Sequence, residues 1–244
     1  MKRSRTSYYK AKNYYKSKNY YYEKSGDPAN RSIPFAVVES YKAIRTNLMF
    51  LLSQTRSHTF EISSSLPGEG KSTCAVNLAV AFSQLGSKIL LIDADLRKPS
   101  VYRKLRLENS KGLSSVLVDF CSFPEAVMSI NANFDVLLSG PIPPNPSELL
   151  GSERMSKLLE DIKDKYDYII IDTPPINVVS DAVVLAAKTE GIVMVVQDMK
   201  TTHDEFKKAV SALNFAEANL LGVVFNSSAD SSTKYSSRSQ RYQY

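Results

Sequence analysis

The residues whose types and spacing can do chemistry lie first in one stretch, Ser63-Ser64-Ser65-Leu66-Pro67-Gly68-Glu69-Gly70-Lys71-Ser72-Thr73. Glycines at 68 and 70 let successive backbone N–H groups turn inward toward phosphate oxygens. A helix opening just after them adds the positive end of its dipole. In such a loop Lys71 reaches the β- and γ-phosphates and the Ser72 hydroxyl meets Mg²⁺. Pro67, Gly68, Glu69, Gly70 and Thr73 then complete a nucleotide cradle. The strict pattern G-x-x-x-x-G-K-[ST] has glycine where this chain has Ser65. Two carboxylate motifs follow downstream. Asp93 and Asp95 close one apolar run, and Asp172 closes another. A turn at Ala94 would let Asp93 and Asp95 approach one cation, and a strand ending on Asp172 would place a metal–water ligand across from the loop.

The elements that must position these groups are legible as periodicities. Runs at 59–63 and 134–138 are strand-like, and those at 87–93, 168–172, 191–196 and 220–225 are apolar strands. Their near-continuous hydrophobicity is that of parallel strands buried on both faces. Between them lie helical segments at 74–82, 112–120, 147–163 and 201–213, with Ser147 as the N-cap of the third. Val37, Tyr41, Ile44, Leu48 and Leu51 recur at 4-3-4-3 spacing, which predicts an amphipathic helix with Glu39, Lys42 and Thr46 on its other face. Alternating strands and helices over residues 35–226 imply an α/β fold, a mostly parallel sheet covered by helices on both faces. Carboxylates at strand C-termini then sit where open α/β sheets place their ligands. Asp181 reads as a helix cap or an N-terminal charge. Asn226, closing the last strand, reads either as a contact to a purine edge or as a turn residue.

Composition bounds the rest. The 244 residues suffice for one sizeable domain, and a hydrophobic content of 43% with 23% charged residues is ordinary for a globular protein. The net charge of +6 is unevenly placed: eight basic residues against Glu23 give residues 1–24 a net +7, so the remaining chain is −1. Cys74 and Cys121 offer neither metal spacing nor a disulfide framework. No apolar run approaches the ~20 residues that span a bilayer, and the basic N-terminus lacks the apolar segment of a signal peptide. A reducing cytoplasm is the expected compartment. Residues 1–34 form a repetitive Tyr/Lys-rich tail and linker, and residues 227–244 a Ser/Tyr-rich tail, both expected to be disordered. Three uses of the first tail stand open: contact with an anionic inner leaflet, stacking on single-stranded nucleic acid, and phosphate acceptance by its tyrosines.

Taken together, the motifs resemble those of the bacterial tyrosine kinases of the capsule and exopolysaccharide systems, deviant P-loop enzymes related to the MinD/ParA ATPases. Residues 65–73 resemble that family's Walker A, including its non-glycine start. Leu91-Ile-Asp-Ala-Asp-Leu-Arg-Lys-Pro99 resembles its Walker A′, Ile169-Ile-Ile-Asp-Thr-Pro-Pro175 its Walker B, and residues 140–150 a further familiar stretch. The resemblance implies autophosphorylation with ATP and Mg²⁺. Lys71 and Thr73 would bind phosphates; Ser72, Asp93, Asp95 and Asp172 would serve the metal; Lys71, Asp93 and Asp95 would be catalytic, with Asp93 the candidate base for the tyrosine hydroxyl. Glu39-Ser-Tyr-Lys42-Ala-Ile-Arg45-Thr-Asn47 is similar to the family's ring-forming helix, with Lys42 replacing its first arginine. Tyr235, Tyr242 and Tyr244 match the position of the family's acceptor cluster. Tyr8, Tyr9, Tyr14, Tyr15, Tyr20, Tyr21 and Tyr22 are read as an additional acceptor segment. The implied partners are the cytoplasmic tail of a transmembrane activator and further copies of the chain, with peripheral contact to the inner leaflet; nucleic acid is the disfavoured partner.

Two other readings remain at this point. A MinD/ParA-like ATPase shares the Asp93-type motif, but those proteins carry K-G-G-x-x-K-T at the loop, where this chain has Ser64 and Ser65. A non-catalytic, nucleotide-gated scaffold would work through the Tyr/Lys tail instead.

Overall fold

The computed structural model describes residues 35–226 except 54, 56 and 57. Both tails, with all ten candidate acceptor tyrosines, lie outside the described residues. Among the described residues seven strands form one sheet, β1 (Thr59–Ser64), β2 (Ile89–Asp93), β3 (Met128–Asn131), β4 (Phe134–Leu137), β5 (Tyr168–Asp172), β6 (Ile192–Gln197) and β7 (Leu220–Asn226), in the order β3-β4-β2-β5-β1-β6-β7. Every pairing is parallel except β3 with β4. The parallel α/β expectation holds, and the antiparallel β3 is an addition that its short, mixed sequence did not signal.

The pleat explains why β2 and β5 are apolar up to their closing aspartates. Ile89 and Leu91 of β2 join Phe60, Ile62 and Ile170 in one core, whereas Leu90 and Ile92 join Ile169 and Ile171 in another. Successive side chains point to opposite faces, and both faces are covered. On the first face lie α1 (Phe35–Leu52) and α2 (Lys71–Ser83). The stripe expected on α1 is rotated: Arg45, Leu48 and Leu52 are buried, while Val37 and Leu51 are 40% and 50% exposed. Arg45 turns inward because α2 ends beside it. Its Nη1 donates to the carbonyl of Ala81 at 2.7 Å, one of the last-turn carbonyls that a helix leaves without an internal partner. Lys42 instead pairs with Glu39 on the half-exposed side of the same helix, 2.7 Å away.

Between β2 and β5 the chain runs through α3 (Val101–Leu105), α4 (Leu113–Leu117), α5 (Phe123–Ala126), α6 (Pro146–Gly151) and α7 (Glu153–Ile162). The single helix expected over 147–163 is therefore two. Ser152 breaks it by adopting an extended conformation and accepting the Met155 N–H at its hydroxyl, an N-cap in place of a helical turn. Ser147 lies inside α6 and caps nothing; Asn145 precedes that helix. Further on, α8 spans Asp181–Ala186 and α9 spans His203–Phe215. The start of α9 falls two residues later than expected, because Thr202 and Glu205 close a reciprocal capping box. No described helix is long and apolar enough to cross a membrane.

Among the described residues, one charged side chain lies buried in the middle of a strand. Glu61, in the middle of β1, is fully buried; it receives a hydrogen bond from the Thr189 hydroxyl at Oε1 and has none at Oε2. Burial pushes its carboxyl well above the ordinary value of 4.5. Between those two values the folded state holds a proton that the unfolded chain has released, so stability falls as pH rises across that window. Glu61→Gln is expected to remove this part of the pH dependence and to be the more stable protein at pH 8. Urea midpoints for the two proteins at pH 5 and pH 8 check this.

Candidate active site

The site forms at the C-terminal ends of β1, β2 and β5, three adjacent strands in the centre of the sheet. From β1 the chain enters the glycine loop. Gly68 and Gly70 take φ values of 79° and 96°, a left-handed backbone that only glycine adopts without strain. A side chain at Gly70 is excluded twice over, since its Cβ would lie 2.2 Å from Asn226 Nδ2. That amide donates to the Glu69 carbonyl at 2.9 Å and so braces the loop from the end of β7. Asn226 is thus a brace for the glycine loop and more than a bare turn residue. The Glu69 carboxylate folds back into its own loop, accepting the Leu66 N–H at 2.9 Å and the Thr201 hydroxyl. Lys200, beside Thr201, donates to the Pro67 carbonyl at 3.2 Å. The β6–α9 connection therefore clamps the glycine loop, a role that no sequence signal assigned to Lys200 or Thr201.

Lys71 opens α2 and carries the centre of the site. Its ammonium lies 2.7 Å from Asp95 Oδ2 and 3.5 Å from Asp172 Oδ1. Burial works against its charge, but the Asp172 and Asp95 carboxylates outweigh that and hold it above the ordinary lysine value. Asp172 is fully buried, and among the described residues neither of its oxygens has a hydrogen-bond partner. Burial raises its carboxyl too, with Lys71 opposing.

Asp93 and Asp95 part company in the turn that follows β2. Asp93 is fully buried and pairs in register with Asp172. Its two oxygens face the N–H groups of Asp95 and Val101, at 3.3 and 3.2 Å. Burial and the nearby Asp172 carboxylate push it well above the usual carboxylate range. Asp95 instead turns toward Lys71, with the Lys98 N–H on its other oxygen at 3.0 Å. Asp93 thus shapes the loop that presents Asp95.

These groups border a cavity of about 320 Å³ whose lining includes Gly68, Gly70, Lys71, Ser72, Thr73 and Asp95. Glu69, Asp93, Asp172 and Asn226 support it without lining it. Pro174, Pro175, Val178 and Val179 give it an apolar wall. Among the described residues no cluster of three or more acidic, His or Cys side chains could hold a metal by itself. Ser72, Asp95 and the orphaned oxygens of Asp172 still fit Mg²⁺, which binds one or two carboxylates and takes its other ligands from water and phosphate oxygens.

Two features escaped the sequence reading. Arg97 of the Asp-Leu-Arg-Lys-Pro stretch grips Asp181 with Nε and Nη2 at 2.9 and 3.0 Å, and Nη2 also reaches the Ser147 hydroxyl at 2.9 Å. Ser147 donates to Asp181 Oδ1 at 2.5 Å. Asp181, read as a cap or a terminal charge, is fully buried and joins the loop after β2 to α6 and α8. Lys104 on α3 is the second; it donates to the Thr73 hydroxyl at 2.7 Å. The arginine was visible in its motif, but neither lysine nor aspartate carried a pairing signal, because the partners lie 31 and 84 residues apart.

Arg97→Met is expected to strand the buried Asp181 carboxylate and cost about 1–3 kcal/mol, seen as a lower urea midpoint. Arg97→Lys should recover only part, since an ammonium cannot make the two-pronged contact.

The comparisons with known proteins agree with this geometry. A family model described as an AAA domain matches residues 58–213. The chain is 48% identical over 189 residues to the tyrosine-protein kinase YwqD of Bacillus subtilis, covering 77% of this chain and 80% of that one. It is 37% identical to the putative tyrosine-protein kinase CapB of Staphylococcus aureus, over 78% and 84% of the two chains. The kinase domain of the Escherichia coli tyrosine kinase ETK superposes with a TM-score of 0.75 at 34% identity, over 82% and 77%. A ParA-family ATPase from Chlorobium tepidum superposes at 0.61 over 74% and 78%, but at 20% identity it shows a shared fold alone. With the glycine loop, the paired carboxylate turns and these similarities in hand, the chain belongs to the bacterial tyrosine-protein kinases, built on the P-loop fold shared with the MinD/ParA ATPases.

Proposed function

We propose that this protein-tyrosine kinase transfers the terminal phosphoryl group of ATP to tyrosines of its own tails and regulates capsule or exopolysaccharide synthesis. The observation that carries the reading is the Lys71 ammonium seated between Asp95 and Asp172 at the mouth of the glycine loop. In the reaction a tyrosine oxygen bonds the γ-phosphorus, the bond from that phosphorus to the β,γ-bridging oxygen breaks, ADP departs and the phenol proton is released. A phenol has an ordinary pKa near ~10, yet a loose phosphoryl-transfer transition state asks more of positioning and charge neutralisation than of a strong nucleophile. Lys71 supplies the neutralising charge, leaving Asp95 and Asp172 as it moves onto the phosphates. The loop N–H groups orient the phosphate chain. Mg²⁺, held through Ser72, Asp95 and Asp172, would supply further charge neutralisation when bound. Asp93 organises the turn carrying Asp95; its commitment to the Asp95 and Val101 N–H groups speaks against its meeting the acceptor hydroxyl directly. The apolar wall of Pro174, Pro175, Val178 and Val179 suits an aromatic ring.

Tyr235, Tyr242 and Tyr244 are the proposed acceptors, with Tyr8, Tyr9, Tyr14, Tyr15, Tyr20, Tyr21 and Tyr22 as a second segment. The activator is proposed to be the cytoplasmic tail of a transmembrane protein, a reading supported by the similarity to a chimera titled CapA2B2, 42% identical with a TM-score of 0.74. A peripheral place at the inner face of the plasma membrane follows from the same partner and the basic first tail. Ring assembly through α1 would draw on Glu39 and Lys42, which lie half-exposed, while Arg45 is buried with its Nη1 on the Ala81 carbonyl.

Incubation with labelled ATP and Mg²⁺, with and without an activator-tail peptide, tests the reaction. Alkali-stable label on tyrosine, reduced at least a hundredfold in Lys71→Met, is the expected result. ATP hydrolysis without labelled tyrosine would point to a MinD/ParA-like ATPase.

A further inference from the structure

The glycine loop is an anion cradle that carries a carboxylate of its own. Glu69 lies between the two left-handed glycines, Gly68 and Gly70, and is fully buried outside the cavity lining to which those glycines belong. Like charges repel, so a carboxylate there opposes the phosphates it neighbours. Both of its oxygens are engaged within the protein. Oε2 accepts the Leu66 N–H at 2.9 Å, which closes the loop on itself. Oε1 accepts the hydroxyl of Thr201, 132 residues further along the chain. We propose that Thr201 is a positioning residue for the nucleotide: held at the end of β6, it locks Glu69 and thereby sets the loop N–H groups toward the phosphate chain before ATP arrives. The inference rests on the nucleotide reading above.

Three observations lead there. First, the direction of the Thr201 hydroxyl is fixed. Its oxygen accepts the Gln197 N–H at 2.9 Å, so its proton is directed to Glu69. Gln197 closes β6 and pairs in register with Asn226 at the end of β7, so the latch is mounted on two paired strands. Second, the main chain around Glu69 is held from the same strand ends. Asn226 Nδ2 donates to the Glu69 carbonyl at 2.9 Å, and Lys200 Nζ to the Pro67 carbonyl at 3.2 Å. In a planar trans peptide the N–H points opposite to its carbonyl. Those two contacts therefore turn the N–H groups of Gly70 and Gly68 away from Asn226 and Lys200, neither of which lines the cavity. Third, glycine reaches more backbone conformations than other residues, so the loop has little stiffness of its own. Bonds from outside hold it in one shape, and each one made in advance is ordering that nucleotide binding need not supply.

Support of the fold alone, with no bearing on the nucleotide, is the competing account. Binding of ADP with Mg²⁺ would be measured by calorimetry for the full chain, Thr201→Val, Thr201→Ser, Glu69→Met and the double variant of Thr201→Val with Glu69→Met. Thr201→Val is expected to weaken ADP about tenfold, the scale of one hydrogen bond to a charged group. Thr201→Ser keeps the hydroxyl and should stay within about threefold of the parent protein. Glu69→Met should also weaken ADP, although it removes a negative charge beside the phosphates and electrostatics alone would tighten binding. In the Glu69→Met background Thr201→Val should weaken ADP no further, because the threonine acts through the carboxylate. In kinase assays the loss should fall on the Michaelis constant for ATP, with kcat kept within about threefold, as for an interaction shared by ground and transition states. A Thr201→Val protein that binds ADP as tightly as the parent overturns the proposal, even where its urea midpoint is lower. So does a Glu69→Met protein that binds ADP as tightly or more tightly, or a second loss in the double variant. If Thr201→Val does not fold, Thr201→Ala and Glu69→Met decide by the same readings. A parent chain that binds no ADP would overturn the nucleotide reading itself and this inference with it.

Discussion

The structure turns on a charge arrangement that a protein interior does not ordinarily tolerate. Asp93, Asp95 and Asp172 are gathered, almost without exposure, at the ends of two adjacent strands. Burying one carboxylate is costly, and gathering several is costlier because like charges repel. Lys71 is what makes the cluster sustainable, with its ammonium between two of them. It does not satisfy the cluster completely. Among the described residues both Asp172 oxygens remain without hydrogen bonds, and an incompletely paired carboxylate is a standing preference for a cation. The feature that strains the fold is the one that readies it for a metal and a phosphate chain.

Much of the remaining architecture holds these four residues in register. Parallel pairing of β2 with β5 sets Asp93 beside Asp172. The left-handed turns at Gly68 and Gly70 aim Lys71, and Asn226, Lys200 and Thr201 brace that loop from the far end of the sheet. On the other side the Arg97–Asp181–Ser147 network ties the loop after β2 to α6 and α8. The glycine loop and the Asp95 loop are therefore each anchored to a different later part of the chain. A nucleotide between them would sense both.

Arg45 is turned toward its own chain. Its motif resembles a helix that joins copies in a ring, yet here the guanidinium satisfies an unpaired carbonyl at the end of α2. Lys42, already in the place of an arginine, stays on the half-exposed side with Glu39.

The sequence by itself determined the strand–helix alternation, the glycine loop, and the placement of Asp93, Asp95 and Asp172 at strand ends. Those signals are local: a parallel strand buried on both faces needs an unbroken apolar run, and a phosphate loop needs glycines at fixed offsets. Tertiary structure alone decided which aspartate faces the cavity, because that depends on where Val101 sends its N–H. It decided that Asp181 pairs with Arg97 and that Lys104 meets Thr73, contacts made across 84 and 31 residues of chain. It also decided that the run after Asn145 is two helices and that α1 turns Arg45 inward, since both follow from competition for backbone hydrogen bonds. Spacing along a chain records what neighbours in sequence must do together; which distant charge answers a buried one is settled only when the sheet has closed around both.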